Sequence, residues 1–252
     1  MNSTPESHLS KVPEVTVLFW AIKIAATTFG ETAGDAVSMS LNVGYLVGTL
    51  VFGAIFAGAV AAQIAARRFQ PILYWTTIIA STTVGTTLAD FADRSLGIGY
   101  AGGTTLLLVL LLTSLYAWHR TLGSISIDTV ISPRAEIFYW VTIMFSQTLG
   151  TALGDWTADT AGLGYAGAAL LFGALLAIVA AAYLWTGLSR TLLFWAAFVL
   201  TRPLGAVIGD LLDKPVSEGG LALSRYSASA VLLLFIVACI MVFPQRATRT
   251  SH

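Results

Sequence analysis

The sequence predicts an all-α integral membrane protein. Its eight transmembrane helices form four parallel two-helix repeats, with pseudo-symmetry about the membrane normal. Three observations predict this. The 252-residue chain is 56% hydrophobic and only 10% charged, against about 25% in an ordinary soluble domain. Apolar runs of about 20 residues recur along it, each long enough for a hydrocarbon core of about 30 Å. One motif also returns four times in constant register.

The motif copies are FWAIKIAATTFGETAGD (Phe19–Asp35), YWTTIIASTTVGTTLAD (Tyr74–Asp90), YWVTIMFSQTLGTALGD (Tyr139–Asp155) and FWAAFVLTRPLGAVIGD (Phe194–Asp210). Trp20, Trp75, Trp140 and Trp195 are spaced by 55, 65 and 55 residues. The glycines Gly30, Gly85, Gly150 and Gly205 keep those spacings, and so do Asp35, Asp90, Asp155 and Asp210. The longer middle interval holds the loop GSISIDTVISPRAE, a pattern of one duplication followed by another. The chain is thus one transmembrane domain, with repeats over 11–69, 70–123, 134–189 and 190–245.

Each repeat contributes two apolar runs. In order they are 15–38 and 44–66, 71–92 and 98–118, 135–157 and 163–185, then 190–212 and 224–243. An even number per repeat gives all four repeats the same orientation, unlike inverted-repeat transporters. Lys11, Arg67, Arg68, Arg120, Arg134, Arg190, Arg246 and Arg249 fall on one side, with Arg94, Lys214 and Arg225 on the other. That bias predicts cytoplasmic N- and C-termini. The tryptophans are then expected in a belt at the cytoplasmic interface. Each aspartate, 15 residues further on, lies about 22 Å away toward the outer half of the membrane.

A spacing of four residues keeps side chains on one helix face. Lys23, Thr27, Glu31 and Asp35 form a polar stripe, matched by Thr82, Thr86 and Asp90, by Gln147, Thr151 and Asp155, and by Arg202 and Asp210. Polar stripes on membrane helices face protein or water. Converging stripes would gather five acids against two bases, an excess of −3 that calls for bound protons or a bound cation. Lys23 is expected to find an acid through water. Carboxylates, Thr hydroxyls and Gln147 form an all-oxygen set suited to magnesium, calcium or manganese. His8, His119 and His252 lie off the stripe, and Cys239 reads as a packed thiol.

Gly30 and Gly34, Gly150 and Gly154, and Gly205 and Gly209 fit the small-xxx-small pattern of close helix packing, with Gly85 and Ala89 as the fourth pair. Pro203 is expected to kink the seventh helix near Arg202. The second run of each repeat carries no buried charge and reads as a lipid-facing support. Tyr45, Tyr100 and Tyr165 open three of these runs as interface anchors. In the fourth repeat the outer loop, 213–229, is longer and reads as a lid or an insertion.

Lys11–Asp35 with its three degenerate copies resembles a family of bacterial multi-pass inner-membrane proteins built from a four-fold repeat of unknown function. The resemblance spans almost the whole chain and implies the architecture and a bacterial inner-membrane location. It implies no activity. A narrower chemical likeness is to cation/proton exchangers with a Glu-x-Gly-Asp signature. Here Glu31-Thr-Ala-Gly34-Asp35 has one extra residue, the other repeats lack the glutamate, and that fold does not transfer.

The leading expectation is a transporter of a hard divalent cation, manganese first, with protons as a driving force. Glu31, Asp35, Asp90, Asp155 and Asp210 would be metal ligands or proton carriers. Thr27, Thr28, Thr82, Thr86, Gln147 and Thr151 would add neutral oxygens, and Lys23 and Arg202 would tune the charge. The alternatives are a proton-coupled transporter or channel for another solute, and a non-transporting scaffold whose acids only join helices. No nucleophile–base pair or cofactor motif lies in the stripe, so neither an enzyme nor a cofactor is expected. The zero net charge predicts membrane lipid and a cation, not nucleic acid, as partners.

Overall fold

The computed structural model describes residues 10–248. The readings on His8, Arg249 and His252 lie outside them. Eight α-helices follow one another: α1 (Val17–Asp35), α2 (Tyr45–Ala65), α3 (Pro71–Asp90), α4 (Tyr100–Leu122), α5 (Pro133–Asp155), α6 (Gly164–Trp185), α7 (Arg190–Asp213) and α8 (Arg225–Val242). Their starts are chemically specified. Thr16, Ser132 and Ser189 side chains accept backbone N–H bonds at the openings of α1, α5 and α7. Pro71 and Pro133 occupy first-turn positions, where no N–H is needed. α7 continues through Pro203 as one helix.

The odd-numbered helices form a closed ring, α1 on α3, α3 on α5, α5 on α7 and α7 on α1. The even-numbered helices lie outside it, each against the ring helix of the next repeat: α2 on α3, α4 on α5, α6 on α7 and α8 on α1. Composition explains the division. Only Gly48 and Gln63 are buried in α2, whereas most of α3 is. Five helices, α2, α4, α6, α7 and α8, are long and apolar enough to cross a membrane. The remaining three, α1, α3 and α5, carry polar stripes turned into the ring.

The repeated glycines close that ring. A methyl group at Gly30 would lie 2.4 Å from Thr82, at Gly85 3.0 Å from Gln147, at Gly150 2.2 Å from Arg202, and at Gly205 2.2 Å from Thr27. Each glycine therefore seats the residue three positions before the glycine of its neighbour. The helices run unbroken through these sites, so the glycines serve close approach. Breaks in regularity come later: a π-helical turn follows Asp35, Asp90 and Asp155. The fourth repeat lacks it. There the chain leaves α7 at Lys214 and folds back, Leu221 and Leu223 donating to the carbonyls of Leu211 and Leu212.

Three of the four repeated tryptophans are enclosed by protein and do not face outward, while Trp20 is half-buried. Trp75, Trp140 and Trp195 are buried, packed with Phe19, Tyr74, Tyr139 and Phe194 where the ring helices begin. Phe56 of α2 covers Trp140, and Trp118 of α4 covers Trp195. Ring closure brings these indoles together, and burying their large area outweighs an interfacial position. The described chain ends lie at this aromatic end. Lys11 reaches Glu136 and the last carbonyls of α2, and Pro13 pairs with Ala247.

Candidate functional site

Steps of four residues along the ring helices stack five levels, each advancing about 6 Å. The first level holds Phe19, Tyr74, Tyr139 and Phe194; the second, Lys23, Ile78, Ile143 and Phe198; the third, Thr27, Thr82, Gln147 and Arg202. Glu31, Thr86, Thr151 and Ala206 make the fourth, and Asp35, Asp90, Asp155 and Asp210 the fifth. No side chain among the twenty is more than 8% exposed. The axis thus grades from an aromatic plug to a layer of carboxylates. Every predicted site residue lies on it except Thr28, which is buried beside it and donates back to the Ile24 carbonyl.

Arg202 dominates the middle. Its Nη2 donates to Glu31 Oε2 at 3.0 Å and to Thr86 Oγ1 at 2.6 Å, and also reaches Thr151. One guanidinium therefore bridges all four ring helices. Thr86 also donates to Glu31 Oε2 at 3.2 Å, so this carboxylate is held from α3 and α7 together.

The aspartates divide into two pairs. Lys214 Nζ lies 2.8 Å from Asp35 Oδ2 and 3.1 Å from Asp210 Oδ1. Arg94 joins Asp90 at 3.0 Å and Asp155 at 3.2 Å. Arg225 adds contacts to Asp213 at 2.8 Å and Asp35 at 3.6 Å. The expected excess of −3 is therefore not what the fold assembles. Glu31, Asp35, Asp90, Asp155, Asp210 and Asp213 are paired with Arg202, Arg94, Lys214 and Arg225, six acids and four bases, while Lys23 stands apart. Arg94, Lys214 and Arg225 enter the sequence reading only as the bases of the outer side. The acid-to-base spacing of four residues, Asp90 to Arg94 and Asp210 to Lys214, is the signal that finds two of them.

Carboxylate capacity is left over. Oxygens of Glu31, Asp35 and Asp210 lie within 4.8 Å of one another. Asp35 Oδ1 and Asp155 Oδ1 are buried and accept no hydrogen bond among the described residues. The structure does not bring Gln147 to this group: its Oε1 faces Lys23 at 3.5 Å, and its Nε2 donates to Ser81 at 3.4 Å. Lys23 forms no direct ion pair among the described residues. Thr27 turns its hydroxyl to backbone carbonyls, among them that of Thr201. Of the acids just beyond the aspartates, Asp93 and Asp213 are buried, while Asp159 is exposed.

A cleft of about 830 Å³ opens at the carboxylate end, lined by Arg94, Lys214 and Arg225 with Tyr100, Tyr165 and Glu218. Of the tyrosines read as interface anchors, Tyr100 and Tyr165 line it and Tyr45 does not. Tyr45 receives Arg94 Nη1 at 3.4 Å, Tyr100 donates to Asp159 at 3.5 Å, and Tyr165 is buried. Pro215 and Glu218 place the long fourth outer loop on its rim. The opposite end is shut: Tyr74 and Tyr139 share a buried hydroxyl–hydroxyl bond of 2.6 Å amid the aromatic cluster.

A helical ring around a buried ionic axis, with apolar helices of membrane length, defines a membrane protein of internal repeats. Residues 18–69, 73–124, 138–189 and 193–246 each match the repeat described as Repeat of Unknown Function (DUF347), and the chain belongs to that family. Neither the curated proteins nor the solved structures contain a match to it.

Proposed function

We propose that this protein is a membrane transporter for a hard divalent cation, manganese first, held by Glu31, Asp35 and Asp210. The observation that carries the reading is the convergence of these three buried carboxylates, with oxygens within 4.8 Å of one another. An all-oxygen donor set suits manganese, magnesium or calcium. Asp35 Oδ1, which accepts no hydrogen bond among the described residues, is an available ligand atom. Lys214 and Arg202 act as tethered cations that neutralise the carboxylates and withdraw when a metal arrives. Access is from the cleft, and the aromatic plug closes the other end, as alternating access requires of one state.

In this reading all eight helices cross the membrane, with four-fold pseudo-symmetry about its normal. α1, α3 and α5 can do so because their polar residues face the ring and not lipid. The termini are cytoplasmic and the membrane is a bacterial inner membrane. The ion pairs support that orientation: Arg94, Lys214 and Arg225, the three bases on the outer side, are each bound to buried acids. The excess of free Lys and Arg therefore lies wholly with the termini.

A second reading is favoured by the pairing of each axial carboxylate with a base: a non-transporting scaffold whose ionic axis joins the ring. Thermal unfolding of detergent-purified protein with manganese, magnesium, calcium and zinc separates the two. The transporter reading expects stabilisation of about 2.7 kcal/mol at a hundred times Kd, lost in Asp35→Asn and Asp210→Asn and kept in Asp159→Asn. Absence of any metal-dependent shift would leave the scaffold.

A further inference from the structure

Lys23 is the one base of the axis that forms no ion pair among the described residues. It is 0% exposed. Its Nζ has one long contact, 3.5 Å to Gln147 Oε1, and lies 4.2 Å from the centre of the Phe198 ring. The other repeats place Ile78, Ile143 and Phe198 at this level, so the amine stands in an otherwise apolar layer. On the third level above it, Thr82 Oγ1 and Arg202 Nε have no hydrogen-bond partner, and Ser146 Oγ nearby also lacks one. Packing alone calls for no amine here, since the same level is filled by hydrocarbon in three repeats.

We infer that Lys23 is the proton carrier coupled to cation binding, an inference that rests on the transporter reading. A buried lysine can exist with or without its proton, whereas arginine stays charged. The titratable and charged groups nearest its level are Arg202 on α7, Tyr74 on α3, Tyr139 on α5, Cys239 on α8 and Glu31 on its own helix. Arg202 links the two sites, because its guanidinium is bonded to Glu31. A cation on Glu31 frees the guanidinium and adds positive charge along the axis. The Lys23 ammonium then releases one proton to solvent water and remains as a neutral amine. Loss of the cation reverses both changes. The coupling thus needs no rearrangement of the ring.

The test is proton release on adding manganese to the full-length protein in weakly buffered detergent solution, read with a pH indicator. Metal binding is followed separately by thermal shift. The parent is expected to release protons on binding. Lys23→Arg keeps the charge but cannot give up the proton, and is expected to bind manganese while releasing about one proton fewer per metal. Lys23→Met matches the apolar residues of the other repeats and is the second variant should arginine not fit; it is expected to lose the same proton. Unchanged release from variants that still bind metal would overturn the inference and leave the cation site standing. Failure of the parent to bind any metal would overturn both.

Discussion

Arg202 of α7 and Glu31 of α1 form an ion pair of 3.0 Å, both side chains almost wholly enclosed by the ring. Removing one partner of such a pair leaves an uncompensated buried charge, at a cost of about 3–5 kcal/mol. Glu31→Gln and Arg202→Met are each expected to lower stability by that order. The double substitution should recover most of the loss, because no lone charge is left behind. A double-mutant cycle from thermal or denaturant unfolding checks this. Losses that simply add would show that the pair is not coupled.

The glycine register makes a second prediction. A methyl at Gly205 would meet Thr27 Oγ1 at 2.2 Å and the Thr27 backbone carbon at 2.9 Å. Backbone cannot swing aside as a flexible side chain does, so Gly205→Ala should cost about 1–3 kcal/mol by overpacking. Gly58 on α2 has nothing within 4 Å, and Gly58→Ala should be neutral or slightly stabilising through helix propensity. Unfolding of the two variants side by side tests whether close approach is the role of the repeated glycine.

Lys214 discriminates between the two functional readings. It contacts Asp35 and Asp210, two of the three carboxylates assigned to the cation. If it is a tethered competitor, Lys214→Gln should bind manganese about tenfold more tightly, a gain of about 1.4 kcal/mol. The metal-free protein should meanwhile be less stable. A scaffold predicts the loss of stability alone. Direct titration of metal binding to the variant decides between them.

Much of this architecture was legible in the residues. Four copies of an aromatic pair, a glycine and an acid defined a four-fold repeat, and the family match finds four repeats across the chain. Helical periodicity assigned Lys23, Thr27, Glu31 and Asp35 to one face, and all four are buried. The small-xxx-small glycines announced close packing, which the Thr82, Gln147, Arg202 and Thr27 contacts realise. Trp75, Trp140 and Trp195, expected to face an interface, are buried instead, because an aromatic residue near the end of an apolar run reads equally well as an interface anchor or a core residue. Only the ring decides.

What the sequence determined by itself is the order of the levels along the axis, because a period of 3.6 residues depends on the chain alone. What tertiary structure decided is which charges meet. Arg94, Lys214 and Arg225 were only bases of the outer side until folding turned them onto Asp90, Asp155, Asp35, Asp210 and Asp213. Lys23 looked set to share in that neutralisation and forms no direct ion pair among the described residues. The reason is range: helical period places a side chain on a face, but a salt bridge requires two side chains from different helices within a few ångströms. That distance is set only when the glycines bring the ring helices together.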